Sequence, residues 1–143
     1  MHHKISTSIQ IPATPETIWN ILTDFESYGD WNPFITSIKG NPAKGERLQA
    51  NIDGMKFKPV VLKAIPYQKF EWLGSLLFKG LFDGRHCFEL FDNGDGTTTF
   101  NHSEQFSGIL VGFLKNKLDT EITKGFEVMN EALREKVLQA KAA

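Results

Sequence analysis

Residues 5 to 11 alternate strictly, with Ile5, Thr7, Ile9 and Ile11 on one side and Ser6, Ser8 and Gln10 on the other. This is the period-two signature of a half-buried strand. Pro12 ends it. Thr14-Pro15-Glu16-Thr17 then reads as a helix start, with threonine at the N-cap, proline at the first helical position and an acid in the first turn. Ile18, Trp19, Ile21 and Leu22 give that helix a buried side. A second short helical piece is expected over Phe25 to Gly29. Asp30-Trp31-Asn32-Pro33-Phe34 breaks it, because the residue before a proline is pushed out of the helical region.

From there to about Phe106, strands alternate with turn chemistry. Asn41-Pro42-Ala43-Lys44-Gly45, Asp53-Gly54, Pro66-Tyr67-Gln68 and Asn93-Gly94-Asp95-Gly96 are the breaks. The strands predicted between them are Ile35 to Gly40, Arg47 to Ile52, Lys56 to Ile65, Phe70 to Leu76, His86 to Asp92 and Thr97 to Phe106, an antiparallel meander. The C-terminal part changes period: Leu110, Phe113, Leu114, Lys117, Leu118, Ile122, Phe126, Met129, Leu133 and Val137 recur at three- and four-residue spacing, as in one long amphipathic helix. That helix and a six- or seven-stranded sheet satisfy each other only if the sheet curls around it. The prediction is one α+β domain over residues 1–143, in the order strand, two short helices, meander, long helix.

Composition narrows the function. The 143 residues carry 16 Lys and Arg against 17 Asp and Glu, a net charge of -1. Charges of both signs dispersed along the chain argue against a nucleic-acid reader, whose affinity comes from clustered cations. The single cysteine excludes an internal disulfide or a multi-thiolate zinc site. No window approaches a bilayer span and no apolar stretch follows Met1-His2-His3-Lys4, so a cytoplasmic protein without stable membrane insertion is expected, as a monomer or weak homodimer. The His2-His3 tip is expected to fray. Twelve phenylalanines beside three tryptophans and two tyrosines must either pack together or line a hollow.

Four tracts resemble the START-like (SRPBCC) superfamily, and within it the bacterial polyketide cyclase/dehydrase group. They are Ile11-Pro12-Ala13-Thr14-Pro15-Glu16-Thr17-Ile18-Trp19, the tract from Asp24 to Phe34, the Gly94-Asp95-Gly96-Thr97-Thr98 hairpin, and His102-Ser103-Glu104-Gln105-Phe106-Ser107-Gly108. The resemblance spans essentially the whole chain. It implies a helix-grip fold with an elongated hollow between sheet and C-terminal helix. The superfamily's carriers, cyclases, hydroxylase subunits and chaperone activators share this scaffold, so chemistry must be argued from residues.

Around the Asn93 to Gly96 turn, Phe100, His102, Glu104 and Phe106 share one strand face and His86, Phe88 and Leu90 share the matching one. The apolar members mark these faces as inward. Two registers keep them together, one placing His86 opposite Glu104 and the other opposite His102; in both, the three polar groups are neighbours. A carboxylate beside two imidazoles is what a small acid–base site needs, and also what an ordinary satisfied buried network looks like. His86, His102 and Glu104 are therefore the candidate catalytic or ligand-orienting residues. The same trio could chelate zinc or iron, but strand spacing is a loose signal for a metal site, and neither metal nor cofactor is expected. Cys87 falls on the opposite face and reads as an inert thiol. Arg85 sits at the strand mouth, as a surface arginine or a contact for a ligand carboxylate or phenolate.

Phe70, Trp72, Phe88, Phe100 and Phe106 from the sheet and Phe113 and Phe126 from the helix are the expected cavity wall, with Phe82 on its lip. Trp19 and Trp31 are assigned to scaffold packing. Gly125, inside the helix, implies close backbone approach, room for a guest, or simple tolerance. Leu76 to Gly84, with five large apolar residues around glycines, reads as a mobile lip, as strand interrupted at its middle, or as a patch for a partner or membrane surface. The function expected is binding or transport of a small hydrophobic or aromatic molecule. The alternatives are a cyclase or dehydratase using the same acid–base residues, and a chaperone-activator-like interaction module.

Overall fold

A computed structural model describes residues 2–142 of the chain. Strand β1 (His2–Ile11) runs into helix α1 (Pro15–Leu22), whose N-cap Thr14 accepts a hydrogen bond from the Thr17 N–H. The His2-His3 tip does not fray. It pairs with Phe106 and Ser107, because the partner strand is long enough to satisfy its backbone to the end. A 3₁₀ turn (Phe25–Ser27) and a one-turn helix, α2 (Tyr28–Trp31), complete the first crossover. The Asn32 side chain, buried, accepts from the N–H groups of Phe34 and Ile35 and so turns the chain into the next strand.

The meander has more strands than predicted: β2 (Ile35–Lys39), β3 (Gln49–Ile52), β4 (Met55–Phe57), β5 (Val60–Ile65), β6 (Lys69–Ser75), β7 (Asp83–Asp92) and β8 (Thr98–Ser107). They form a five-stranded sheet, β1-β8-β7-β6-β5, and a three-stranded sheet, β2-β3-β4. The strand predicted over Lys56 to Ile65 breaks at Lys58-Pro59, since proline has no N–H to keep a ladder going. Arg47 and Leu48 leave β3 and bond across to β5 instead, through the Arg47–Val60 bridge and the Leu48 N–H to the Pro59 carbonyl at 2.7 Å. This crossing joins the two sheets at a corner, and the whole curls around the C-terminal helices.

Those helices are α3 (Val111–Lys117), a π-helical turn (Leu118–Ile122) and α4 (Thr123–Ala142), one unbroken helical segment. Leu110, Leu114, Leu118 and Ile122 take the inward side at a spacing of four. Phe113, one residue before Leu114, therefore points away and is 85% exposed; it is not part of the wall predicted for it. Gly125 is explained by close approach: an added Cβ would lie 2.6 Å from two atoms of the Phe34 ring. Leu76 to Phe82 is a tight connection rather than strand, closed by the Leu76 N–H to the Phe82 carbonyl at 2.9 Å and by the buried Asp83 carboxylate on the Gly80 N–H. Leu77 and Phe78 project from it into solvent. No helix among the described residues is long and apolar enough to cross a membrane.

Candidate functional site

The register decides between the two pairings left open by the sequence: His86 lies opposite Glu104, and Phe88 opposite His102. Extended across the sheet, this gives two inward rows. Trp72, His86, Glu104 and Ile5 form one; Phe70, Phe88, His102 and Thr7 form the other. Residues facing each other this way have Cβ atoms ~4.5–5.5 Å apart, so the polar side chains meet by construction.

They meet as a continuous hydrogen-bonded chain that reaches α4. The Thr7 hydroxyl donates to the His102 carbonyl at 2.9 Å, and the Asn130 amide donates to the Thr7 oxygen at 2.9 Å. Asn130 Oδ1 lies 2.9 Å from His102 Nδ1; His102 Nε2 lies 2.7 Å from His86 Nε2; His86 Nδ1 lies 3.0 Å from Glu104 Oε1. Direction follows from the end that cannot vary. A backbone carbonyl only accepts, so Thr7 spends its single proton there and must accept from the Asn130 NH₂. That orients Asn130 Oδ1 as the acceptor for an Nδ1–H on His102. His102 Nε2 is then a bare acceptor and takes the Nε2–H of His86. Neither a bare Nδ1 nor a carboxylate can donate, so the bond between His86 and Glu104 requires one further proton shared between them.

His102 is held neutral by the same surroundings. Burial pulls its pKa well below the ordinary histidine range, and the adjacent His86 adds to the effect. Phe126 stacks on its ring at 3.9 Å, while Trp72 stacks on His86 at 4.9 Å. Both imidazoles are thus sealed in aromatic packing: His86 is 1% exposed and His102 fully buried. Their Nε2 atoms face each other and bond to each other.

Glu104 is the member of the chain that reaches open space. Its second oxygen lies over Gly84, where a Cβ would fall 2.0 Å from it, so only glycine there leaves the carboxylate room. Glu104 and Gly84 border a cavity of about 260 Å³. Trp72, Phe82 and Phe106 line it from the five-stranded sheet and its connection, Ile52, Met55 and Phe57 from the smaller sheet, and Leu114, Leu118 and Ile122 from the helix. Exposed Asp53 and Lys117 stand on its rim.

The predicted site residues therefore divide. Trp72, Phe82, Glu104 and Phe106 border the cavity. Phe70, His86, Phe88, Phe100, His102 and Phe126 lie behind it in a close-packed core, with ring centroids at 3.9–5.8 Å along the path Phe126, His102, His86, Trp72, Phe70. Phe34, seated against Gly125 and 5.4 Å from Phe126, closes that core. Phe113 belongs to neither group. Arg85 is exposed on the opposite sheet face, paired with Glu71 at 3.4 Å, and Cys87 shares that face, its thiol pushed up to about 12 by burial and by Glu89. The residues missed from sequence are Asn130 and Thr7 in the chain, Gly84 beneath the carboxylate, and Ile52, Met55, Phe57, Leu114, Leu118 and Ile122 in the wall.

The family model described as "Polyketide cyclase / dehydrase and lipid transport" matches residues 2–137. The chain belongs to this family. No curated protein matches it. Among solved structures it is similar to a START superfamily protein from Mycobacterium smegmatis, at 22% identity and TM-score 0.74, over 96% of this chain and 99% of that one. It is also similar to norcoclaurine synthase from Thalictrum, solved as a point mutant with a transition-state analogue, at 12% identity and TM-score 0.75 over 99% and 97% of the two chains. The di-domain ARO/CYC protein StfQ of the steffimycin biosynthetic pathway matches at 7% identity and TM-score 0.80, over the whole of this chain and 53% of that one. At these identities the likeness is one of fold: a START-like helix-grip, as the tracts in the sequence imply.

Proposed function

We propose that this START-like chain binds a small, mostly apolar molecule of one or two fused rings, carrying one hydrogen-bond donor that meets Glu104. The observation carrying this reading is a cavity walled by aliphatic and aromatic side chains into which the buried polar chain presents one carboxylate. Such a combination of apolar lining with few placed polar groups is the usual make-up of a small-molecule site. The volume sets the scale. A cavity of about 150 Å³ holds benzene, and drug-sized ligands occupy about 300–1,000 Å³; about 260 Å³ lies between them.

The test compares 2-naphthol with 2-methoxynaphthalene by isothermal titration. A site built to bond a hydroxyl discriminates against an analogue lacking it, because the buried acceptor is left unpaired. 2-Naphthol should bind at least tenfold more tightly, and Glu104→Leu should erase the difference. Equal affinities in the wild-type protein would refute the role given to Glu104; no binding of either compound would refute the cavity reading itself.

The shared His86–Glu104 proton favours one second reading, acid–base turnover of a polyketide-like substrate. There the pair would hold a proton at the cavity wall and exchange it with a group next to a substrate carbonyl. Glu104→Gln keeps the shape of the side chain but removes the exchangeable carboxyl proton. Under this reading it abolishes turnover while binding survives; unchanged turnover would exclude it.

A further inference from the structure

The charges that look dispersed along the sequence are not dispersed on the fold. The outward face of the three-stranded sheet carries Ser37 and Lys39, Gln49 and Asn51, and Lys56 in register, followed by Lys58. The β6–β7 connection folds beside it and adds Lys79, and Arg47, anchored on the Lys58 carbonyl at 2.7 Å, closes the end. Together they form an open groove of about 880 Å³ bordered by five basic side chains and, among the described residues, by no acidic one. All five are exposed. In a chain of net charge -1, this is a strong local excess of positive charge.

The rim of this groove is apolar. Leu77 is 85% and Phe78 59% exposed. The next loop, tied to this one by the Ile109 N–H on the Gly80 carbonyl and the Leu110 N–H on the Leu81 carbonyl, projects Ile109 at 72%, and the first turn of α3 that follows it projects Phe113 at 85%. Four large apolar side chains thus stand out of two adjoining loops and the start of α3, beside a basic groove. Water-exposed leucine, isoleucine and phenylalanine clustered in this way mark a binding surface.

We infer that this end of the molecule docks on an anionic lipid bilayer, with Leu77, Phe78, Ile109 and Phe113 entering the interface and the basic groove lying against lipid headgroups. Charge chooses the occupant. Five cations without a balancing acid suit an anionic surface and repel a second copy presenting the same face. The protruding tips choose between anionic partners: leucine and isoleucine do not stack on nucleic-acid bases, whereas they partition into acyl chains. Peripheral docking needs no spanning helix, only apolar area plus electrostatic attraction. Leu76 and Phe57 border both the groove and the internal cavity, so docking places this shared wall of the cavity next to the lipid. The inference concerns the surface alone and holds whatever occupies the cavity.

The experiment is co-sedimentation of the full chain with vesicles of phosphatidylcholine, or of phosphatidylcholine with 30 mol% phosphatidylglycerol, at rising salt. Binding is expected to the anionic vesicles only and to weaken with salt. Each basic side chain at such a surface contributes about fivefold, so Lys56→Glu with Lys58→Glu should lower the partition coefficient at least tenfold. Leu77→Ser with Phe78→Ser should do likewise at constant charge. These positions are exposed, and circular dichroism verifies that the variants fold. Failure of the folded wild type to sediment at low salt overturns the proposal. So does binding of a single-stranded oligonucleotide that the Leu77/Phe78 variant retains in full, or concentration-dependent dimerisation that the same variant abolishes.

Discussion

Replacing Asn130 by leucine removes the group that sets the direction of the whole polar chain. Asn130 is 2% exposed and makes two bonds, accepting from His102 Nδ1 and donating to Thr7 Oγ1, each at 2.9 Å. In Asn130→Leu a proton kept on His102 Nδ1 would be buried without an acceptor, at a cost of about 1–3 kcal/mol. The chain can avoid this by reversing. His102 would carry its proton on Nε2 and donate to His86, and His86 would carry its own on Nδ1 and donate to an ionised Glu104. The array then holds one proton fewer. What remains lost is the Asn130–Thr7 bond, about 0.5–1.5 kcal/mol, and the pairing of His102 Nδ1. The expected total is about 1–3 kcal/mol, read from urea denaturation with the m-value unchanged. Long-range ¹⁵N–¹H correlation spectra report tautomers directly: Nδ1–H on His102 in the wild type, Nε2–H in the variant. A cost below about 0.5 kcal/mol with His102 still protonated at Nδ1 would refute the directional argument.

Other expected outcomes follow from the same contacts. Because burial lowers His102 in the folded state, the unfolded chain takes up a proton below about pH 6.5 that the folded chain refuses. Stability is then full above that pH and falls as pH drops below it, by up to about 1.4 kcal/mol per unit; His102→Gln should show a shallower slope between pH 7 and 5, and parallel slopes would contradict the assignment. Gly84→Ala forces the Glu104 carboxylate off its place, since the new Cβ meets Oε2. Loss of this charge-assisted bond should weaken 2-naphthol binding about tenfold or more, seen by titration together with a shifted His86 Nδ1 resonance. Gly125→Ala gains about 0.5–1 kcal/mol of helix propensity but drives a methyl into the Phe34 ring, where overpacking costs about 1–3 kcal/mol; a net fall in melting temperature is expected, and a rise would mean that Phe34 has room to yield.

The order of elements was legible because each depends on local pattern: the alternation of β1, the Thr14-Pro15 start of α1, the turns between strands. The inward face of His86, His102 and Glu104 was legible too, since a period of two leaves only two faces to choose from. Register was not, because both pairings keep the inward faces together, and only long-range pairing separates them. Asn130 carries a readable signal: a polar residue four after Phe126 and three before Leu133 interrupts the apolar stripe of α4. Thr7 was on the inward face of β1 from the outset. Phe113 was misplaced because a stripe read at three- and four-residue spacing admits either of two adjacent residues, and Leu114 took the inward place. The basic groove was invisible in sequence, since its five side chains come from β2, the β2–β3 connection, β4 and the residue that follows it, and the β6–β7 connection, and only the fold collects them. The phenylalanine excess serves both purposes foreseen for it, with one set of rings filling the space around the histidines and another bordering the hollow.

The most direct test of the cavity reading is methyl NMR of the chain titrated with 2-naphthol. Shifts confined to Ile52, Met55, Leu76, Leu110, Leu114, Leu118 and Ile122, with Leu133 and Val137 at the far end of α4 unmoved, are the predicted result. Saturable shifts elsewhere, with these methyls unchanged, would contradict it.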